Sequence, residues 1–227
     1  MLGSAAPSLA LIDTLTEHWA EFRSGFWVTV RLIVISFAVA MVVGTLVAAL
    51  RIAPNKWLQR LGGIYVEVFR NIPLLVLLFI SFAGLRRGGV DIGPWVAGIA
   101  SLGLYTAAYV AEALRSGVFS VGKGQIEASL SLGFSYAETL RRIVLPQAFR
   151  TVISPLGSLT IAMIKNSAII GVSLLALPDL LKQARIVQAR TFETNETFFW
   201  AAIGYLLLTG AVTLLIRNLE NRFAIRR

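Results

Sequence analysis

The sequence predicts an all-α polytopic membrane protein with about five transmembrane helices and a cytoplasmic two-helix loop between the third and the fourth. Three observations predict it: an excess of apolar residues, the length of the charge-free runs, and the sorting of charge between alternate loops. Of the 227 residues, 56% are hydrophobic and 15% are charged, with a mean hydropathy of +0.74. That is more apolar surface than the core of one soluble domain can hide. Residues 32–50, 94–111 and 197–216 run for 19, 18 and 20 positions without a charge, close to the ~20 a helix needs to cross a bilayer. Two further runs are interrupted, 64–85 by Glu67, Arg70 and Pro73, and 151–177 by Lys165 and Asn166. The spans are therefore expected at about 27–50, 64–85, 94–113, 151–177 and 197–217, which together form a membrane domain over 27–217.

A net charge of +9 would suit a nucleic-acid binder only if the basic residues formed a contiguous patch, and here they are divided among loops. Residues 51–63, 114–150 and 217–227 hold 12 Lys and Arg against 3 acidic residues, while 1–26, 84–93 and 177–196 hold 6 against 7. The positive-inside rule puts the first group in the cytoplasm, the N-terminus outside and the basic tail 218–227 inside. Residues 1–26 contain "LALIDTLTEHWAEF", an amphipathic stretch expected to lie along the outer face with Trp19 and Trp27 at headgroup level. No basic residue precedes Arg23, so a cleaved signal peptide is not expected and the first span serves as its own signal. With no cysteine and His18 as the single histidine, no metal constellation or thiol chemistry is visible.

The inner loop 114–150 has structure of its own. Residues 124–132 read as a short helix stopped by Gly133, and Ser135 with Glu138 three positions on is a capping-box signature that opens a second helix. Leu140, Ile143 and Val144 carry the apolar face of that second helix to Pro146, where it is expected to end.

The residues of this loop carry a resemblance. Glu127-Ala128-Ser129, three residues, Gly133, nine residues, then Ile143-Val144-Leu145-Pro146 matches the pattern E-A-A, x3, G, x9, I-x-L-P at every fixed position except the third, where Ser129 replaces alanine. That pattern resembles the cytoplasmic signature of permease subunits of ATP-binding-cassette (ABC) importers. "FRNIPLL" at 69–75, "AAYVAEALRSG" at 107–117, "GQIEAS" and "LPQAFR" are similar to the polar amino acid subfamily, with Asn71-Ile72 where that subfamily has Gly-Thr. The resemblance covers about 26–223 and implies a permease of the bacterial inner membrane. It also implies an extracytoplasmic amino acid-binding protein, a second permease subunit and an ATPase dimer that carries ATP and magnesium. Glu127, Ala128, Ser129, Gly133, Ile143, Leu145 and Pro146 would then dock into the ATPase and transmit its closure.

Two motifs bear on chemistry. "GVFSVGKG" at 117–124 nearly matches a phosphate-binding loop, but Gly124 offers magnesium no hydroxyl and no strand precedes the motif. No cofactor is expected on this chain. Charged residues inside spans are costly and therefore pair, reach an interface or line a path. Glu67 with Arg70, and Glu112 with Arg115, are three apart and expected to pair on one helix face. Lys165 has no acidic residue within ten positions and is followed by Asn166 and Ser167, which suggests a discontinuous helix lining a substrate site. The subfamily usually has K-D-T-S there, so Asn166 removes a carboxylate and the site would favour an anionic group. The candidate path is Lys165, Asn166, Ser167 and Glu112, with a structural pairing of Lys165 with Glu112 or another helix as the competing role. A self-contained secondary transporter or channel for a small anion or amino acid is the alternative function, and a membrane scaffold for a cytoplasmic enzyme is a third.

Overall fold

The computed structural model describes residues 7–173 and 177–223, and among these the regular structure is entirely helical. We number the helices α1 Pro7–Glu17, α2 Trp19–Ile52, α3 Lys56–Asn71, α4 Leu74–Arg87, α5 Pro94–Phe119, α6 Lys123–Ser131, α7 Tyr136–Val172, α8 Leu180–Thr191 and α9 Thr194–Phe223. Four of them, α2, α5, α7 and α9, are long and apolar enough to cross a membrane, and α3 with α4 make a fifth if the bent pair is one span. The expected five spans thus include one that is broken.

The break falls at Ile72–Pro73, where α3 and α4 meet at 102°. Proline disfavours the helical region for the residue before it, and Ile72 is extended at φ −88, ψ 128. Pro73 then opens α4, where its missing N–H costs nothing. The discontinuity expected at Lys165–Asn166 does not occur: α7 passes through both without interruption. Polar side chains alone do not break a helix, and the Ser167 hydroxyl satisfies itself by donating to the Ile164 carbonyl at 2.7 Å.

Pro146 likewise fails to end the second helix of the inner loop, which continues into the fourth span. A π-helical turn over Leu140–Val144 sits just before Pro146. Its wider ladder makes room for the ring where an α-helical turn would clash with a carbonyl. At the other end of the chain, α2 takes in Trp19 to Trp27 and so begins before the expected span start at 27. At 34 residues it is roughly 51 Å long, well beyond a ~30 Å hydrocarbon core.

The chain falls into two compact units. Among the described residues the first comprises 7–36, 73–102, 163–173 and 177–211, the second 37–72, 103–162 and 212–223. In the first, Phe22, Leu180, Ala184 and Ala201 form a core against which Leu15, Phe26, Trp200 and Tyr205 pack. Polar ties hold α1 to it: Trp200 Nε1 donates to the Leu11 carbonyl, and Thr14 Oγ1 to Glu193 Oε2, both at 2.7 Å. In the second unit, Ala40, Gly44 and Ala48 recur every four residues and let α2 approach Ala107, Val110 and Ala111 of α5. Small residues replace bulk in this way wherever helices associate in lipid. A Cβ at Gly44 would lie 2.7 Å from Val110 Cγ1.

Asp179, between α7 and α8 and outside the spans, caps α8 by accepting from the Lys182 N–H at 2.8 Å. It is fully buried in the first unit, its Oδ2 has no donor among the described residues, and it abuts Gly171. Burial pushes its carboxyl up to about 7 against an ordinary 3.8, while the Lys182 N–H and charge oppose the shift. The folded state therefore binds the proton more tightly than the unfolded one, so stability is full below the unfolded value and declines as pH rises from about 4 to about 7. Asp179→Asn keeps the cap and removes the titration. In detergent, the difference in thermal midpoint between variant and wild type should widen in the variant's favour across that window, by an energy on the order of 4 kcal/mol. Parallel midpoint curves from pH 4 to 8 would contradict this account.

Candidate functional site

The inner loop is built by local rules. Gly133 has φ +87, the left-handed region that glycine enters without strain. Around it the Gly133 N–H donates to Leu130 O at 3.0 Å and the Phe134 N–H to Ser129 O at 3.1 Å. This is the paired closure of a Schellman turn, which ends α6. Directly after it, the Ser135 N–H donates to Glu138 Oε2 at 3.0 Å and the Glu138 N–H to Ser135 Oγ at 3.3 Å, a complete capping box that starts α7. These hydrogen bonds from Ser135 hold the Glu138 carboxyl below its ordinary value.

Ser129 is buried, donates to Ile126 O and shares a 2.8 Å hydroxyl–hydroxyl bond with Thr139. The residue that departs from the motif thus pins α6 to α7. Glu127, Ala128, Leu130, Leu132, Tyr136, Leu145 and Pro146 remain exposed, Leu132 at 80%. Ile143 is half-buried. The loop presents an apolar surface on a tightly closed turn.

The second unit also contains a cavity of about 490 Å³ lined by Arg70, Tyr109, Glu112, Ser116, Ser158 and neighbouring residues. Glu112 pairs with Arg115 at 2.7 Å as expected, and its other oxygen is held by Arg51. The expected Glu67–Arg70 pair does not form among the described residues. The Arg70 guanidinium instead lies over the Tyr109 ring, 5.2 Å from its centroid, where the ring face attracts a cation.

Along α7, Thr151, Ser158 and Lys165 recur every seven residues and all three are exposed, with Ser154 and Pro155 beside them. Residues so spaced share a helix face, so Thr151, Ser154, Ser158 and Lys165 form an interrupted polar stripe on α7, with Ile161 and Ala162 between Ser158 and Lys165. Lys165 has no ion pair among the described residues, Asn166 is half-buried, and Ser167 is fully buried. Of the predicted path residues, Lys165 is thus on the stripe and Ser167 is not, while Glu112 belongs to the cavity of the second unit. Sequence reasoning missed Arg51, Tyr109 and the stripe itself. The seven-residue spacing could have revealed the stripe, had the helix been read as unbroken.

Residues 40–225 match the family described as the inner membrane component of binding-protein-dependent transport systems. The chain is 40% identical over 211 residues to a probable glutamine ABC transporter permease protein of Bacillus subtilis (strain 168), covering 93% of this chain and 97% of that one. It is 32% identical to a glutamate/aspartate import permease protein of Escherichia coli (strain K12), over 91% and 89% of the two chains. Among solved structures, an amino acid ABC transporter crystallised with histidines superposes with a TM-score of 0.86 at 32% identity, covering 92% of this chain and 96% of that one. The chain belongs to the family of binding-protein-dependent transport system inner membrane components.

Proposed function

We infer that this chain is the membrane-spanning permease subunit of an ABC importer that brings a polar or acidic amino acid into the cytoplasm. The capped turn of residues 123–146 carries the reading, because its exposed apolar face on a closed turn is what a docking element for an ATPase requires. In this reading an extracytoplasmic binding protein delivers the amino acid and a second permease subunit, identical or related, completes the path. An ATPase dimer with ATP and magnesium docks at Glu127–Pro146. The names of the relatives, which refer to glutamine, glutamate and aspartate, make these the first substrates to test.

The stripe on α7 supports the substrate path. Thr151 satisfies its hydroxyl by donating to the Ala148 carbonyl, but the charged Lys165 is too costly to present to hydrocarbon, and such residues line water-filled paths. Loop charge supports an N-terminus outside and a C-terminus on the ATPase side. Reconstitution into proteoliposomes with candidate ATPase and binding proteins tests the reading: uptake of labelled glutamine or glutamate should require all components and ATP. Uptake by this chain alone down an ion gradient would replace it with a secondary transporter.

A further inference from the structure

The Arg70 cavity shares Thr151 and Ser158 with the α7 stripe, but Arg70 itself has no role in that path. Glu112 cannot neutralise Arg70, because its two oxygens are occupied by Arg51 and Arg115. Among the described residues no carboxylate lies within ion-pairing distance of Arg70. Arg70, exposed, is thus the one cation in the cavity wall among the described residues and has no carboxylate partner there, while Glu112 is committed to Arg51 and Arg115 outside the wall. The Tyr109 ring holds the guanidinium of Arg70 by its face, which leaves the edge N–H groups, the fork that matches a carboxylate, unused. Ser116, Ser120, Thr151 and Ser158 supply hydroxyls to the walls. A volume of about 490 Å³ lies in the range of small-molecule sites.

The position is also informative. Ser120 precedes α6 by three residues, and Thr151 follows Pro146 on α7. Two wall residues are therefore joined to the docking turn by short stretches of chain.

We propose that this cavity is a second substrate station, distinct from Lys165, at which Arg70 receives the α-carboxylate of the amino acid on the docking-turn side of the bilayer. The proposal rests on the importer reading above. A carboxylate and a lipid phosphate are both oxyanions that a guanidinium would hold, so the test must separate these sources.

The chain has no cysteine, so a single reporter is clean. Ser158→Cys in the assembled importer is reacted with a methanethiosulfonate reagent in proteoliposomes, with L-glutamine, L-glutamate or L-glutamine methyl ester present on the docking-turn face. The free amino acids should slow modification and the ester, lacking the α-carboxylate, should not. Arg70→Gln should raise the concentration for half-protection by about tenfold or more, as expected for loss of a charge-assisted contact. Arg70→Lys should fall between wild type and Arg70→Gln, and Lys165→Met should leave protection in place. The station is refuted if the unmodified importer takes up amino acid normally yet Ser158→Cys is unprotected, or if Arg70→Gln protects as well as wild type. Protection that follows the phosphatidylglycerol content of the bilayer, whatever the amino acid, assigns the site to lipid and also refutes it. Absence of ATP-dependent uptake in the unmodified importer counts instead against the importer reading.

Discussion

Lys165→Met should lower uptake by about ten- to hundredfold while membrane insertion and assembly with the expected ATPase are retained. Lys165 is exposed on an unbroken helix and has no ion pair among the described residues, so its ammonium is not holding the fold together. An unpaired charge at that depth is costly, and a passing carboxylate offsets the cost only while it is bound. Loss of a charge-assisted hydrogen bond, about 1.5 to 3 kcal/mol, gives the stated range. Methionine keeps the length of the side chain, so a packing defect would not produce the same result. The check is the initial rate and apparent affinity of ATP-driven uptake in proteoliposomes, and unchanged values would remove Lys165 from the path. Asn166→Asp in the same assay should disfavour glutamate relative to glutamine, since it restores a negative charge beside the lysine.

Gly133→Val should uncouple transport from ATP hydrolysis in the proposed importer. A Cβ at Gly133 meets nothing within 4 Å, so the effect is conformational and not steric crowding. A β-branched residue at φ +87 costs about 1 to 3 kcal/mol, and the turn relieves it by abandoning the two closing hydrogen bonds at Leu130 and Ser129. Binding-protein-stimulated ATP hydrolysis should fall at least tenfold, with normal amounts of permease in the membrane. Gly133→Asn, which tolerates the left-handed region, should retain most of the coupling. If valine and asparagine behave alike, the turn geometry is not what the ATPase reads.

What was legible in the sequence was local. Gly133, Ser135 and Glu138 announce a helix end and a helix start by rules that operate over four residues, and the structure follows them. The spans were legible because a bilayer imposes length and apolarity on any helix that crosses it. Breaks were harder. Pro73 and Lys165 both interrupt an apolar run, but only proline removes a backbone donor and restricts its neighbour, so the chain bends at 72–73 and continues straight through 165. Pro146 misled for the opposite reason, since a π turn upstream absorbs its ring. Partners distant in sequence were not legible at all. Arg51 reaches Glu112 across 61 positions, and Arg70 leaves the acid on its own helix for an aromatic ring on another.

The Ser129–Thr139 bond gives the docking turn a mechanical property. A joint between two helices ordinarily has compliance, and any push applied to one arm is partly spent in flexing it. Here the arm that ends at Ser131 and the arm that begins at Tyr136 are closed at both facing ends and bolted together behind the joint by two hydroxyls. For the joint to flex, these bonds must be given up together, each worth about 1 kcal/mol. In the proposed importer, a stroke delivered to this turn would therefore pass into the fourth span as displacement with little loss at the corner.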